Sequence, residues 1–360
     1  MSMTGAMSAA ISGMKTHMQA LNVVGNNIAN VNTYGYKAQR VTFKESIYNT
    51  LSAGSGGTAT TGGTNPQQIG YGCSVGTIDL DMSTGDLSPT GLATDCAIQG
   101  DGFFLVGPKG QNIDSMDSVK ALSLTRVGNF QFRDGYLVDK TSGNVVYGFL
   151  TSSLADPTAG GDAGTTAGKA STALAPIRLP MKSTATDTLG DAVYVGVDAD
   201  DGTNVDPTTD VDGFIDYENL SIDANGKITC TNKDTGDPVV VGYLALGTVD
   251  NPDGLLHTDG PYYTAGDAAG DITLSAPNSA VTGYLNNGKI QGAGGNAVDP
   301  ATMLSAKSGT GIMTSYLEGS GTDLATEFSN MIVYQRGYQA NTRIISVTDS
   351  MLEELVNIKR

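Results

Sequence analysis

Residues able to do chemistry are few in this chain and poorly placed for it. The acidic run DADDGTNVDPTTDVDG at 198–213 comes closest to a cation site. An EF-hand loop needs oxygen ligands at positions 1, 3 and 5, Gly at 6 and Glu at 12. A frame opening at Thr208 supplies Asp210, Asp212 and Gly213, but places Thr at position 1 and Asn219 at position 12. The run therefore reads as a solvated acidic loop, and no metal is expected. His17 and His257 are the only histidines, and neither has partners at metal-ligand spacing. Each is expected to be a polar surface residue. Cys73, Cys96 and Cys230 form neither a CxxC pair nor a disulfide framework. GSGGTATTGG lacks the GK[ST] ending of a phosphate loop, and no GxSxG nucleophile motif occurs. Carboxylates are plentiful enough for a glycosidase pair, yet Trp is absent and aromatics are only 6%, which argues against a sugar-stacking platform. No catalytic residue and no cofactor are predicted.

The most unusual stretch is GNNIANVNTYGYK at 25–37, where an amphipathic helix runs into four asparagines and two glycines. The helix leading to it spans residues 4–30. Thr4, Met7, Ile11, Met14, Met18, Leu21, Gly25 and Ile28 recur at spacings of three and four, a heptad seam. A second helix is predicted over 323–359, with Asp323 as N-cap. Leu324, Phe328, Met331, Tyr338, Ile345, Leu352 and Val356 give its seam, with Gln335, Thr342 and Asp349 interrupting one row. Gly25, Asn26, Asn27, Asn30, Asn32, Thr33, Gly35 and Tyr36 form the candidate junction motif. The asparagines can cap the helix end and tolerate left-handed backbone, Gly25 keeps the seam slim, and Gly35 permits a turn.

Between the helices the sequence is turn-rich and β. Residues 52–70, rich in Gly, Thr and Ser, read as a flexible or extended connector. In GTIDLDMS, Ile78, Leu80 and Met82 alternate with polar residues, which predicts a strand with one buried face. GDGFFLVG is a short apolar strand. NFQFRDGYLVD is a hairpin turning at Asp134-Gly135, and LSIDANGKITC one turning at Asn225-Gly226. Residues 151–183 read as a second linker, and VVVGYLALGTV as a buried strand. The fold class is thus mixed and mainly β. Two terminal helices form a coiled-coil domain (1–30 and 323–360). Connecting segments lie at 31–72 and 308–322, an inner β domain at 73–150 and 239–307, and an outer β domain at 151–238.

Charge supports this division. The net charge is −17, so nucleic acid and anionic membrane surfaces are excluded as partners. Residues 151–250 hold 16 acidic and 5 basic side chains, whereas 1–36 hold one charged residue, Lys15. An uncharged end beside an acidic middle predicts that the end is buried and the middle faces water. No apolar run approaches the ~20 residues of a membrane span. The N-terminus lacks the basic and apolar regions of a cleavable signal peptide.

The two ends together resemble the axial proteins of the bacterial flagellum, the rod and hook family, with the hook proteins as the nearest pattern. The matching segments are SAAISGMKTHMQALNVVGNNIANVNTYGYKAQRVTF and LATEFSNMIVYQRGYQANTRIISVTDSMLEELVNI. Between them GTNPQQIGYGCSVGTIDLDMSTG, ATDCAIQGDGFFLV, TRVGNFQFRDGYLVD, VGYLALGTVDNPDGL and SYLEGSGTDL also resemble the family. The pairing of GNNIAN with MIVYQRGYQAN is its most specific feature. The region 184–237 matches only loosely.

The resemblance implies a structural subunit that polymerises into a helical tube and transmits torque as a flexible joint. The terminal helices would line the tube. Rod and hook–filament junction proteins, a hook cap and the flagellar type III export apparatus would be partners, and the location would be extracellular. A distal rod or hook-associated protein of the same family is the alternative. A secreted calcium-dependent adhesin or glycan-active enzyme is a remote one, drawn only from the acidic loop and the carboxylates.

Overall fold

The structure, a computed structural model, describes residues 3–57, 62–110, 113, 115–150, 174–186, 192–195, 211–233, 236, 238–275, 284–286, 289–291 and 310–358. It is mainly β, with a long helix at each end of the chain. Most of the expected linker 151–183 and nearly all of the acidic loop 198–213 lie outside the described residues. The chain divides into two compact units. One comprises Met1–Asn32, Lys37–Ser83 and Gly321–Arg360; the other comprises Thr33–Tyr36 and Thr84–Ser320.

The helical unit packs the N-terminal helix, Met3–Ala29, against the C-terminal helix, Leu324–Ile358. Asp323 caps the second helix: its side chain accepts from Ala325 N–H (3.0 Å) and Thr326 Oγ1 (2.6 Å), satisfying donors that a helix start leaves orphaned. Beside the helices, β1 (Gln39–Glu45) pairs antiparallel with β4 (Cys73–Leu80), and β2 (Tyr48–Ser52) pairs with β3 (Gln67–Gly70). The expected connector 52–70 is therefore partly a hairpin. Its arms are extended further by a bridge between Ser55 and Thr64. The expected alternation holds at Leu80 and Met82, which are partly covered while Asp81 and Ser83 are exposed, but not at Ile78. Ile78 is half exposed, while Asp79 turns to Arg40 at 3.7 Å.

The β unit is built on an antiparallel sheet in which thirteen strands are seen among the described residues. It contains β7 (Phe103–Gly107), all of whose residues are buried. β7 pairs with Ser123–Thr125, Val145–Leu150 and Leu246–Val249. Phe104 and Phe130 meet edge to face at 5.1 Å in its core. Asp134 (φ 51°) and Gly135 (φ 76°) make the expected two-residue turn between Phe130–Arg133 and Tyr136–Asp139. VVVGYLALGTV forms two strands rather than one, Pro238–Leu244 and Leu246–Val249, broken at Ala245. Strands Ala175–Pro176, Tyr217–Ile222 and Lys227–Asn232 belong to the same sheet. Among the described residues, strands on both sides of positions 150/151 and 238/239 share this sheet.

Near the other end of this unit, β5 (Leu87–Pro89) pairs with Tyr316–Glu318, and β6 (Cys96–Gln99) pairs with Gly311–Thr314. The stretch just ahead of the C-terminal helix is thereby stitched to the stretch that follows the helical unit's last strand.

Candidate assembly face and junction

On the N-terminal helix the buried positions are Ala10, Gly13, Thr16, Ala20, Val24 and Asn27. They recur at spacings of three and four, as a packed helical face must. They are one or two places out of phase with the predicted seam. Met7, Ile11, Met14, Leu21 and Ile28 are only partly covered, and Met18 is 49% exposed. Small side chains carry the contact because the helices come very close. A Cβ on Gly13 would stand 2.8 Å from Asn341 Nδ2, and one on Gly337 would stand 2.7 Å from the His17 ring. By contrast, a Cβ on Gly25 would meet nothing within 4 Å. Gly25 therefore does not serve a slim contact inside the chain.

On the C-terminal helix, Met331, Tyr338, Ile345 and Leu352 fall on the partly covered stripe, together with Glu327, Tyr334, Asn341 and Thr348. Leu324 and Phe328 do not; both are exposed. A second apolar face begins at Val333. Phe328, Ile332, Val333, Ile344, Val347, Met351, Leu355, Val356 and Ile358 are all large, apolar and exposed, from 45% at Ile344 to 81% at Ile358. Ile344, Val347, Met351, Leu355 and Ile358 align at spacings of three and four. The helix is thus apolar on two sides, and the chain itself covers one.

His17 is not a simple surface residue. It stacks edge-on to Phe43 (5.6 Å) and lies 6.1 Å from Tyr334. Its Nδ1 is buried without a hydrogen-bond partner, and burial lowers its pKa from the usual 6.5.

Asn27 joins the junction motif to two other elements. It is wholly buried. Its Nδ2 donates to the Gln39 carbonyl (2.8 Å) and to Glu327 Oε1 (3.0 Å), and its Oδ1 accepts from Gln39 N–H (3.0 Å). One amide thus ties the N-terminal helix, β1 and the C-terminal helix, across 300 positions of sequence. Burial raises the Glu327 pKa, with the Asn27 bond opposing it. Asn30 turns back, donating from Nδ2 to the Asn26 carbonyl at 3.0 Å and to Asn26 Oδ1 at 3.1 Å. Asn26 and Asn32 are exposed. None of the motif's asparagines adopts the left-handed backbone expected of them; Gly35 does, at φ 68°. Lys37, also buried, donates from Nζ to the Ser83 carbonyl at 2.7 Å.

Thr33–Tyr36 belongs to the β unit. Tyr36 N–H reaches the Thr33 carbonyl at 3.4 Å, and Gly35 N–H donates to the Glu318 carbonyl at 2.9 Å. A Cβ on Gly35 would come within 2.8 Å of Val127 Cγ2 and 3.0 Å of its backbone nitrogen. Here glycine is required both by the positive φ and by the space.

Glu318 was not singled out by the sequence. It is 1% exposed. Its Oε1 accepts from Gly85 N–H (2.9 Å) and its Oε2 lies 3.5 Å from Nη1 of Arg126. Arg126 is equally buried and stacks 5.2 Å above the Phe103 ring. Its burial lowers the guanidinium pKa, with Glu318 acting the other way. A single glutamate in SYLEGSGTDL carries no periodic signal, so only the fold reveals its partner.

Among the described residues, no group of His, Cys, Asp and Glu could hold a metal ion, and no helix is long and apolar enough to cross a membrane.

Two family models match the chain. Residues 7–37 match the flagella basal body rod protein family, and residues 313–358 match the C-terminal region of the flagellar basal body rod FlgEFG proteins. The flagellar basal-body rod protein FlgG of Bacillus subtilis is 33% identical over 97% of this chain and 97% of its own length. The flagellar hook protein FlgE of Rhizobium meliloti is 28% identical over 100% of both chains. The hook protein FlgE of Borreliella burgdorferi is 27% identical over 97% of this chain and 98% of its own.

Proposed function

This chain belongs to the flagellar rod and hook protein family, and from that premise we propose that it is a subunit of the hook, polymerising through its terminal helices into a torque-transmitting tube. The observation that carries the polymer reading is the second apolar face of the C-terminal helix, from Val333 through Ile344, Val347, Met351 and Leu355 to Ile358, exposed in the lone chain. Each such side chain gains about 1.5–3 kcal/mol on full burial, so copies of the same chain packed side by side would cover a large unfavourable surface. The partly covered Met7, Ile11, Met14, Met18, Leu21 and Ile28 extend that face onto the N-terminal helix. In this reading Met331, Tyr338, Ile345 and Leu352 hold the helix pair inside each subunit, while Leu324 and Phe328 face a neighbour.

The hook assignment rests on the region between the first β segment and the C-terminal helix. Within it, residues 151–238 contribute strands Ala175–Pro176 through Lys227–Asn232 and hold 15 acidic against 5 basic side chains. A joint that bends as it turns needs outer surfaces that slide, which polar, acidic and glycine-rich sequence provides. Residues 151–238 are the proposed outer domain, and 73–150 with 239–307 the inner one. Rod and hook–filament junction proteins, a hook cap and the type III export apparatus are the partners this role requires, with the polymer outside the cell. A distal rod role is the second reading, favoured by the 33% identity to FlgG along almost the whole chain.

Immunogold electron microscopy of isolated hook–basal bodies separates the two, using an antibody raised to residues 211–275. Gold along the curved segment beyond the cell surface is the expected result. Gold on the straight rod would transfer the chain to the rod.

A further inference from the structure

We infer that Glu318 and Arg126 form a buried clamp that gathers every place where the chain leaves the β unit, so that these crossings move as one body. The chain enters or leaves that unit at three places: the excursion Thr33–Tyr36, the start of Thr84–Ser320, and its end. All three converge on one residue. Gly35 N–H donates to the Glu318 carbonyl, and Gly85 N–H donates to its side chain. Glu318 itself stands two residues from the unit's last. Gly319 N–H closes the ring on the Asp86 carbonyl at 2.7 Å. Arg126 fixes the carboxylate from behind, while its own backbone abuts Gly35: a Cβ there would lie 3.2 Å from the Arg126 carbonyl carbon.

Stability alone does not explain an ion pair in this position. Desolvation cancels most of the gain from burying two charges, and apolar residues of similar size often do as well. Nor is the pair built for maximal bonding, since Arg126 Nε is buried with no partner. What a buried carboxylate with two directed bonds does supply is a fixed geometry for the segments that meet on it. The mechanical consequence rests on the axial-subunit reading: torque carried along the chain from one unit to the other runs through these crossings, and a clamp prevents one from slipping against another.

Amide hydrogen exchange on the purified full-length chain tests the clamp, with Glu318→Gln, Arg126→Met and the double variant. Protection at Gly35, Gly85 and Gly319 is expected to fall together, by about tenfold or more, while β7 keeps its protection. Loss at Gly85 alone, or an even loss across the unit, would overturn the clamp. If the single variants leave a buried charge unpaired and do not fold, the double variant carries the test. It should fold and show the joint loss; unchanged protection overturns the proposal. Failure of all three to fold would also overturn it, making the pair a folding requirement. Motility of cells carrying a folded variant is a separate readout. Joint loss of protection with normal rotation leaves the clamp standing and removes the torque-bearing reading.

Discussion

Asn27 illustrates how one side chain can hold a junction that contains no catalytic group. Its amide satisfies both the N–H and the C=O of Gln39 and one oxygen of Glu327. Replacing it by Ala leaves buried backbone groups unpaired, and each costs about 1–3 kcal/mol. Asn27→Ala is expected to destabilise the helical unit by about 2–3 kcal/mol in urea unfolding followed by far-UV circular dichroism. Asn30→Ala, which removes bonds to Asn26 within one exposed helix turn, should change it by less than about 1 kcal/mol. Equal effects would show that Asn27 does not tie three elements.

His17 adds a pH dependence at the same scale. Its pKa is lowered by burial, so the unfolded chain binds the proton more tightly than the folded one. Stability is then full above the unfolded value of 6.5 and falls as pH drops through it. Glu327 works in the opposite direction. Its raised pKa means that the folded state takes up its proton first, which adds stability as pH falls toward the carboxylate range. His17→Phe should abolish the decline that starts near 6.5 and leave the more acidic limb. A melting-temperature series across pH reads both limbs. An unchanged series would place the decline elsewhere.

At the scale of elements, the helices were legible because their signals are local. Heptad spacing set the extent of both, and Asp323 marked one start. The face each helix uses was less legible. Periodicity ranks positions by size, and here the closest approach is made at Gly13 and Gly337, chosen for closeness rather than bulk. The large residues were read as the seam between the helices, whereas Phe328 stands on the open side. In the β4 segment the alternation held at Leu80 and Met82 and missed at Ile78, which has the right spacing but is half exposed. Glycine- and threonine-rich sequence hid the β2–β3 hairpin, because its pairing partners lie beyond any local window.

The exposed helix face yields its own prediction. Val347→Asp places a charge where the lone chain already meets water, so the monomer's melting temperature should shift by no more than about 0.5 kcal/mol allows. Polymer formation by sedimentation should be lost. Asp at Ile345, on the covered stripe, should unfold the helix pair instead. Polymerisation unaffected by Val347→Asp would remove this face from the assembly contact.

At the scale of the whole molecule, the resemblance carried by the two ends foresaw the family that the full-length relatives show. Composition could not have done so. It reported turns and acidic charge, which many folds share. The membership of Thr33–Tyr36 in the β unit was the least visible feature, because Gly35 meets Glu318 and Arg126 there, residues far apart in sequence that no periodicity links.

The pairing of the first helix with the last also has a temporal meaning. Residue 27 finds its partner at 327, so nearly the whole polypeptide must be present before the helical unit can close. Contacts of such sequence separation form late, after the loop between them has been reduced by local structure. The β unit, whose strands mostly pair with near neighbours, is able to collapse first and bring the two ends together. Any machinery that delivers this chain amino-terminus first therefore holds an unfinished helix until the final residues emerge. A chain stopped at residue 320 should acquire amide protection in β7 but none in Met3–Ala29. The last residues to arrive thus act as the timer that makes the subunit sticky only once it is complete.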